Sequence, residues 1–306
     1  FAMLHGGSAL TLVRSELRQL DSGAGGFAEV HERSTVALVD SRVLGMTARA
    51  DGGGLKLMTG SRLVGEGNAT LENCSAPGGN GGAVWMDSSN ITVQGVTIVR
   101  GSSLLGGGIF AAGTNAMLDH VHVHHSTATN GGGGVYATNA AVTVLDTSVV
   151  GGASSIGGGV CVTDQSTWTG LRFRVLASKA VRGGGVLVEK DSTMDLRESK
   201  ITGNHATEGG GLCLRDGARV SFRQGTEINH NAAENQGGGL MVISDSYAEL
   251  YTTVMTANTA FYGAALFVDG CDVKMNRVHI VKNTVVGGGY GGGRWINHSC
   301  CFLFLR

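Results

Sequence analysis

Glycine-led apolar triplets recur along this 306-residue chain every 25 to 29 residues, and this period limits the possible folds more than any other feature. A fixed period of this length indicates a solenoid, in which each repeat packs only on its neighbours. The residue that follows the glycines marks one anchor position per repeat, and the anchors are Phe1, Phe27, Leu55, Val84, Ile109, Val135, Val160, Val186, Leu212, Leu240, Leu266 and Arg294.

Each repeat contains three short runs in which apolar residues alternate with others. In the repeat that begins at Gly209, these runs cover residues 212–214, 218–222 and 226–233, with turn residues between them. Runs of this length and period are typical of strands and too short for helices. The sequence therefore predicts an all-β fold, a right-handed single-stranded parallel β-helix of about eleven coils of about 26 residues with three strands per coil.

Composition excludes several other classes of protein. Glycine accounts for 52 of 306 residues, but a single proline and the lack of a Gly-X-Y period exclude collagen and disordered low-complexity chains. A net charge of -1, with 15% charged residues, predicts neither a nucleic-acid nor an anionic-membrane partner. Because no apolar run approaches ~18 residues, we expect no transmembrane segment.

The unbroken period predicts one continuous array over residues 1–299, followed by a short apolar tail at 300–306. Phe1 is already in register, and neither an initiator Met nor a signal segment precedes it. We therefore expect this sequence to be part of a longer array.

The third run carries a second landmark, an apolar residue followed by two others and then asparagine. Stacked amides at one turn position can pass hydrogen bonds along the solenoid and satisfy buried backbone groups. We therefore predict a structural asparagine ladder. Its members are Asn204, Asn231, Asn258 and Asn283.

The pairing of Gly-Gly-Ala-(Ile/Leu/Val) words with apolar-x-x-Asn words resembles the repeats of the chlamydial polymorphic membrane proteins and related β-helical surface proteins. Examples in this chain are Gly81-Gly82-Ala83-Val84 and Ile201-Thr202-Gly203-Asn204. The resemblance covers nearly the whole chain, although the asparagine word is lost in its N-terminal half. It implies a β-helix fold and a secreted, adhesive role, without the C-terminal barrel of that family.

The middle residue of each triplet belongs to a row that is itself apolar. Strand alternation places this row opposite the core, where polar residues would be expected. We predict a partner-binding stripe for a protein, further copies of the chain or a glycan. A reversed orientation or a covering segment would instead make the row part of a core. The stripe consists of Trp85, Phe110, Tyr136, Leu187, Met241, Phe267 and Trp295.

Histidines cluster once, between Asp119 and His125. Alternation would place His120, His122 and His124 on one face of a strand, at a spacing compatible with metal binding. Neighbouring repeats offer no His or Cys at the equivalent positions. We therefore expect a polar outward face, with no metal and no cofactor.

No catalytic set stands out in the sequence. Enzymes that cleave acidic polysaccharides need clustered carboxylates, with calcium and basic residues or with a second acid. We predict a non-enzymatic extracellular or cell-surface protein that acts in adhesion or assembly through its lateral faces. Two alternatives are a subunit of an extracellular fibril that stacks coil ends, and a polysaccharide lyase or hydrolase with its site at 119–125 or 172–174.

Cysteines and glycosylation sequons add little to this prediction. Cys161 and Cys213 share a position two repeats apart, roughly 9.6 Å, which is too far for a disulfide. We therefore expect free thiols there, whereas Cys300 and Cys301 could pair elsewhere. Candidate N-glycosylation sites are Asn68, Asn73, Asn90 and Asn297.

Overall fold

The computed structural model describes residues 1–23 and 26–297, and for Ser89 and residues 294–297 it describes the backbone alone. Every regular element in this range is a β-strand. Strands at equivalent positions of successive coils pair in parallel, as in the register Val186↔Leu212↔Leu240. The prediction of an all-β parallel β-helix of about eleven coils is confirmed. Within the described ranges, no helix long and apolar enough to cross a membrane is found.

The first and second strands of each coil lie in one large sheet. The first strands are Ala2–Leu4, Ala28–Val30, Leu55–Met58, Val135–Thr138, Val160–Thr163, Val186–Val188, Leu212–Leu214, Leu240–Val242, Leu266–Asp269 and Arg294–Asn297. The second strands are Ala9–Val13, Thr35–Val39, Arg62–Glu66, Ala141–Leu145, Thr167–Leu171, Thr193–Arg197, Arg219–Arg223, Tyr247–Tyr251 and Asp272–Asn276. In two coils the first and second strands are continuous, at Val84–Gln94 and Ile109–Asp119.

The third strands form a separate sheet of eleven members. They are Glu16–Arg18, Arg42–Leu44, Thr70–Glu72, Thr97–Val99, His122–His124, Ser148–Val150, Arg174–Leu176, Lys200–Thr202, Glu227–Asn229, Val254–Thr256 and His279–Val281.

A fourth short strand follows in most coils, because the third predicted run divides in two at the asparagine position. The fourth strands are Asp21–Ser22, Thr47–Ala48, Ser75–Ala76, Ser102–Leu105, Thr127–Gly131, Lys179–Arg182, His205–Glu208, Ala232–Gln236, Thr259–Tyr262 and Thr284–Tyr290. Isolated bridges at Ala153 and Ile156 connect the two halves of this column.

Alternation along the strands fills the interior with apolar side chains. In the third strands, for example, Val123, Val175 and Ile201 point inward and are buried. The largest side chains of the core are Trp168 and Phe173, whose ring centroids are 5.3 Å apart. The continuous core extends through the stacked coils, so its stability depends on unbroken stacking.

The glycines before each first strand are needed for two different reasons. Gly209 has φ +65, a left-handed conformation that strains any residue with a side chain. At Gly211 an added Cβ would lie 2.5 Å from the carbonyl oxygen of Gly239 in the next coil. The triplet motif therefore encodes a turn followed by close packing of coil on coil.

Asparagine amides are stacked at the turn between the third and fourth strands. Nδ2 of Asn204 donates to Oδ1 of Asn231 at 3.0 Å, and Asn231 donates in the same way to Asn258 at 3.0 Å. Asn258 donates to Asn283 at 2.9 Å. Each amide also binds a backbone carbonyl, such as that of Ile201 at 2.9 Å. These bonds satisfy buried backbone groups along four coils.

Hydroxyl groups take over this role elsewhere. Oγ of Ser126 accepts from the backbone N of Gly101 at 3.1 Å, at the turn where asparagine is absent. At the turn before the second strand, Oγ of Ser166 accepts from Ala140 N at 3.1 Å. These serine ladders were not predicted, because serine is common in ordinary turns.

Candidate active site

A column of polar side chains projects from the third sheet of the solenoid. His122, Ser148 and Arg174 occupy the same outward position in three successive coils. Each of these residues is the first of a three-residue strand whose central residue is buried, so the alternation of side chains directs it outward. The two segments named as possible enzyme sites, 119–125 and 172–174, therefore meet on one face.

His122 is held by its neighbour in the next coil. Its Nδ1 lies 2.9 Å from Oγ of Ser148, and its ring centroid lies 6.4 Å from that of His124. Partial burial, followed by the nearby His120 and Arg174, lowers the pKa of His122 below its ordinary value. The pKa of His124 is lowered by burial and by the adjacent His122 and His125. Both imidazoles are therefore neutral at neutral pH.

His120 does not share this face. Its φ of 52 places it in the turn before the strand, so the predicted row of three histidines contains only His122 and His124. His120 Nδ1 instead lies 2.6 Å from Oδ1 of Asp119, and its Nε2 is 3.9 Å from Oδ2 of Asp146. The left-handed backbone conformation of His120 explains why its side chain does not point in the same direction as those of His122 and His124.

The turns between the second and third strands also contain a bidentate ion pair. Nε and Nη2 of Arg172 donate to the two carboxylate oxygens of Asp146 at 2.6 and 2.7 Å. The Arg172 guanidinium holds the pKa of Asp146 below its usual range. Because the Asp146 carboxylate is ionised and both of its oxygens accept hydrogen bonds from Arg172, it is not available as an acid catalyst.

Arg174, in contrast, is exposed and lies within salt-bridge distance of no carboxylate among the described residues. The next cation in the column, Lys200, is paired with Glu227 at 3.0 Å. Two coil steps separate His122 from Arg174, roughly 9.6 Å between backbones. A neutral base and an unpaired cation thus face the same side, with Ser148 between them.

Metal ligands do not gather in the part of the chain that the structure describes. In that part, no group of three or more His, Cys, Asp or Glu side chains could hold a metal ion.

The apolar row of the first strands is covered by the chain itself. The exposed fraction is 7% for Phe110, 1% for Leu187, 2% for Met241 and 4% for Phe267. These last three, with Cys161 and Cys213, form a second small core on the outer side of the first strands. The covering residues come mainly from the following corner and the fourth strand, and they are Ile156, Ile243 and Tyr262, with Tyr136 at one end.

Trp85 and Tyr136, in the N-terminal part of the stripe, are half-buried. The Nζ of Lys56 lies 4.6 Å from the ring centroid of Trp85, and Tyr136 stacks on Phe110 with centroids 5.7 Å apart. The side chain of Trp295 lies outside the described residues. Between Cys161 and Phe267 the row is therefore an internal packing surface, because a corner segment folds over it.

The remaining predicted positions lie at the surface or outside the described part. Asn68, Asn73 and Asn90 are exposed, while the side chain of Asn297 is not described. Cys161, Cys213 and Cys74 are buried free thiols, and Cys271 is buried as well. Cys300, Cys301 and the tail 300–306 lie outside the described residues.

Sequence reasoning did not identify Ser148. Serine is too common in this chain to stand out, and its role depends on exact alignment of successive coils. The only available signal was its position one repeat after His122 and one repeat before Arg174.

Comparisons with known proteins agree with the geometry of the fold. The family model of the right-handed β-helix region matches residues 4–173 and 147–304. No curated protein matches the sequence significantly. A solved structure with 12% identity and a TM-score of 0.43 covers 95% of this chain and 86% of its own; it is a mannuronic acid specific polysaccharide family 6 lyase enzyme from human gut microbiota.

These results correct the expectation of a non-enzymatic protein that acts in adhesion or assembly. The third sheet brings the base and the cation of His122 and Arg174 onto one face. In addition, most of the apolar stripe on which adhesion depended is covered by its own chain. The coarser prediction of a β-helix repeat protein is confirmed, whereas the specific resemblance to polymorphic membrane protein repeats stays a prediction. The family model spans nearly the whole sequence, and the chain belongs to the right-handed β-helix family.

Proposed function

We propose that this chain is a carbohydrate-active enzyme that cleaves uronate-containing polysaccharides by β-elimination on the outward face of its third sheet. The observation that carries the proposal is the alignment of neutral His122 with the unpaired guanidinium of Arg174, two coils away. A uronate polymer presents a carboxylate and an acidic C5 proton on each residue. The column therefore offers a complementary charge and a base.

The reaction follows from these two groups. Arg174 binds the uronate carboxylate and stabilises the negative charge that develops when the C5 proton leaves. When Nδ1–H of His122 donates to Ser148 Oγ, the lone pair of Nε2 is free to accept that proton. The C4–O4 bond then breaks, a C4–C5 double bond forms, and the leaving oxygen takes a proton from water.

Hydrolysis is less well supported by the same site. A hydrolase needs one carboxylic acid that stays protonated near neutral pH, which requires a raised pKa. Asp146 lies two residues before Ser148 in the chain, and Arg172 lowers its pKa instead. The charge arrangement therefore favours elimination over hydrolysis.

Extracellular action is part of the proposal, since uronate polymers are mainly found outside cells. The exposed sequon residues Asn68, Asn73 and Asn90 are compatible with secretion in a host that glycosylates proteins. Such a glycoprotein would carry its sugars on coils that precede His122 in the chain.

Product analysis tests the proposal directly. We would incubate the protein with polymers of mannuronate, guluronate and galacturonate and follow both ultraviolet absorbance of unsaturated ends and reducing sugar. We expect both signals from at least one polymer and neither from a neutral glucan. Reducing sugar without unsaturated ends would indicate hydrolysis and would contradict the proposal, as would the absence of both signals.

A matched pair of variants links the activity to the column. His122→Gln is expected to lower the rate at least about 100-fold, because it removes the base. His279→Gln changes a histidine in the equivalent outward position six coils further along, and it should leave the rate unchanged. Equal effects of the two substitutions would show that His122 has no special role.

A further inference from the structure

A shallow groove lies on a different face of the solenoid, over the outward side of the second strands. It encloses about 230 Å³ and crosses the strands that begin at Thr167, Thr193, Arg219 and Tyr247. Its lining combines apolar surface with hydroxyl side chains such as Thr169 and Ser221, and it includes Tyr247 beside Glu249. Such a surface suits a hydroxyl-rich ligand.

The aromatic end of the groove is fixed in place. Tyr247 Oη lies 2.7 Å from Oε1 of Glu249, and Lys274 Nζ lies 3.5 Å from the same oxygen. Burial and the neighbouring Glu249 raise the pKa of Tyr247 to about 12, so its hydroxyl stays protonated and donates to the carboxylate. The ring is thereby held at the wall, where the flat face of a sugar can pack against it.

The middle of the groove contains an incompletely satisfied carboxylate. Oδ1 of Asp195 is shielded from solvent and has no hydrogen-bond partner among the described residues. Its cation neighbour, Nε of Arg197, lies at 3.5 Å, an ion-pair distance rather than a hydrogen bond. A donor that enters the groove would satisfy this group after a small rotation of the carboxylate.

Arg219 adds a positive charge to the groove. Arg219 is exposed on the strand between those of Asp195 and Tyr247, and no carboxylate of the described ranges lies within salt-bridge distance of it. Lining the same groove, it can bind an anionic group of a ligand seated against Tyr247.

From this arrangement we infer a second saccharide-binding site, separate from the His122 column, that takes an acidic oligosaccharide. Arg219 binds a uronate carboxylate, Asp195 accepts hydrogen bonds from ring hydroxyls, and Tyr247 packs against the sugar face. The choice of a uronate ligand rests on the proposed function. The site would hold polymer on the rod while another stretch of it is cleaved.

Binding measurements on a cleavage-deficient protein test the inference. In the full chain carrying His122→Gln, calorimetric titration with a uronate tetrasaccharide should show about tenfold weaker affinity after Tyr247→Ala or Arg219→Ala. Arg219→Ala should leave the weaker binding of a neutral tetrasaccharide unchanged. Arg62→Ala, which removes an exposed cation from the second strand of an earlier coil, is the matched control and should have little effect.

Each result decides for or against the site. Unchanged affinity in both groove variants, with unchanged thermal midpoints, would overturn it, as would an equal loss with Arg62→Ala. Tyr247→Phe, which keeps the ring, should retain most of the affinity and separates a lost contact from a folding defect. Failure of the proposed function appears differently: wild-type protein would not cleave the polymer while binding still depended on Tyr247.

Discussion

Nδ1 of His122 lies 2.9 Å from Oγ of Ser148, its partner in the next coil of the third sheet. This contact fixes the direction of the imidazole and selects which ring nitrogen faces solvent. The imidazole of the proposed base is thus oriented by the stacking of one coil on the next.

Ser148→Ala is expected to lower kcat by about tenfold with little change in KM, because an orienting partner is removed while Arg174 still binds the carboxylate. Ser148→Thr should restore most of the rate, since it keeps the hydroxyl. The measurement is initial rate of unsaturated product against polymer concentration. Thr202→Ala, on the same sheet, serves as control, and a rise in KM alone would contradict the orienting role.

Arg174→Ala is expected to raise the pKa of His122, because the cation disfavours the protonated ring. Burial is the larger cause of the lowered value, so the pKa should stay below that of a free histidine. An NMR titration of the His122 ring protons measures it. In the wild type, the neutral form persists as the pH falls, so activity should be lost only when the pH drops through this lowered pKa.

The matched control for this titration is Arg223→Ala, on the outward face of the second strands. It should leave the His122 titration unchanged. An unaltered His122 midpoint in Arg174→Ala would show that the two groups do not interact electrostatically.

Asn231→Ala is expected to destabilise the protein by about 3 kcal/mol, because it leaves several buried groups without hydrogen-bond partners. The wild-type amide donates to the Ile201 carbonyl at 2.9 Å and accepts from the backbone N of Asn204 at 3.0 Å. Denaturant unfolding measures the change. Asn115→Ala, at an exposed outward position, should cost less than about 0.5 kcal/mol.

Thiol labelling tests the second core. Burial raises the pKa of Cys213 to about 12, and Cys74 likewise to about 12, so neither forms the reactive thiolate near neutral pH. In a Cys300→Ser, Cys301→Ser background, we expect no rapid reaction of the native protein with a chromogenic disulfide reagent. In denaturant, all four remaining thiols should react. Rapid native labelling of Cys161 or Cys213, located by peptide mapping, would contradict a closed second core.

Much of the architecture follows from local pattern in the sequence. The period predicts coil stacking, and alternation predicts the inward residues, such as Val123 and Ile201. The covered row was harder to interpret, because alternation says only that Leu187 points away from the main core. Whether water or another segment lies on that side depends on how the corner folds back, which brings Tyr262 over the row.

The candidate site was only partly predictable for a related reason. Both of its segments are visible in the sequence, but repeat lengths that vary from 25 to 29 residues leave their mutual alignment open. The structure shows His122 and Arg174 in one column, because the two intervening repeats are equally long and their third strands pair in register. His120 was placed incorrectly because a single left-handed residue reverses the side that follows from simple alternation.

The strict register of the third sheet gives the rod the properties of a ruler. Groups on this face can be separated only by whole multiples of the inter-strand spacing, about 4.8 Å. Substitution can therefore change which side chain a given coil presents on this face. The distance between two such side chains changes only when an entire coil is gained or lost between them. Selectivity for a polymer with its own repeating length would thus be tuned in discrete steps.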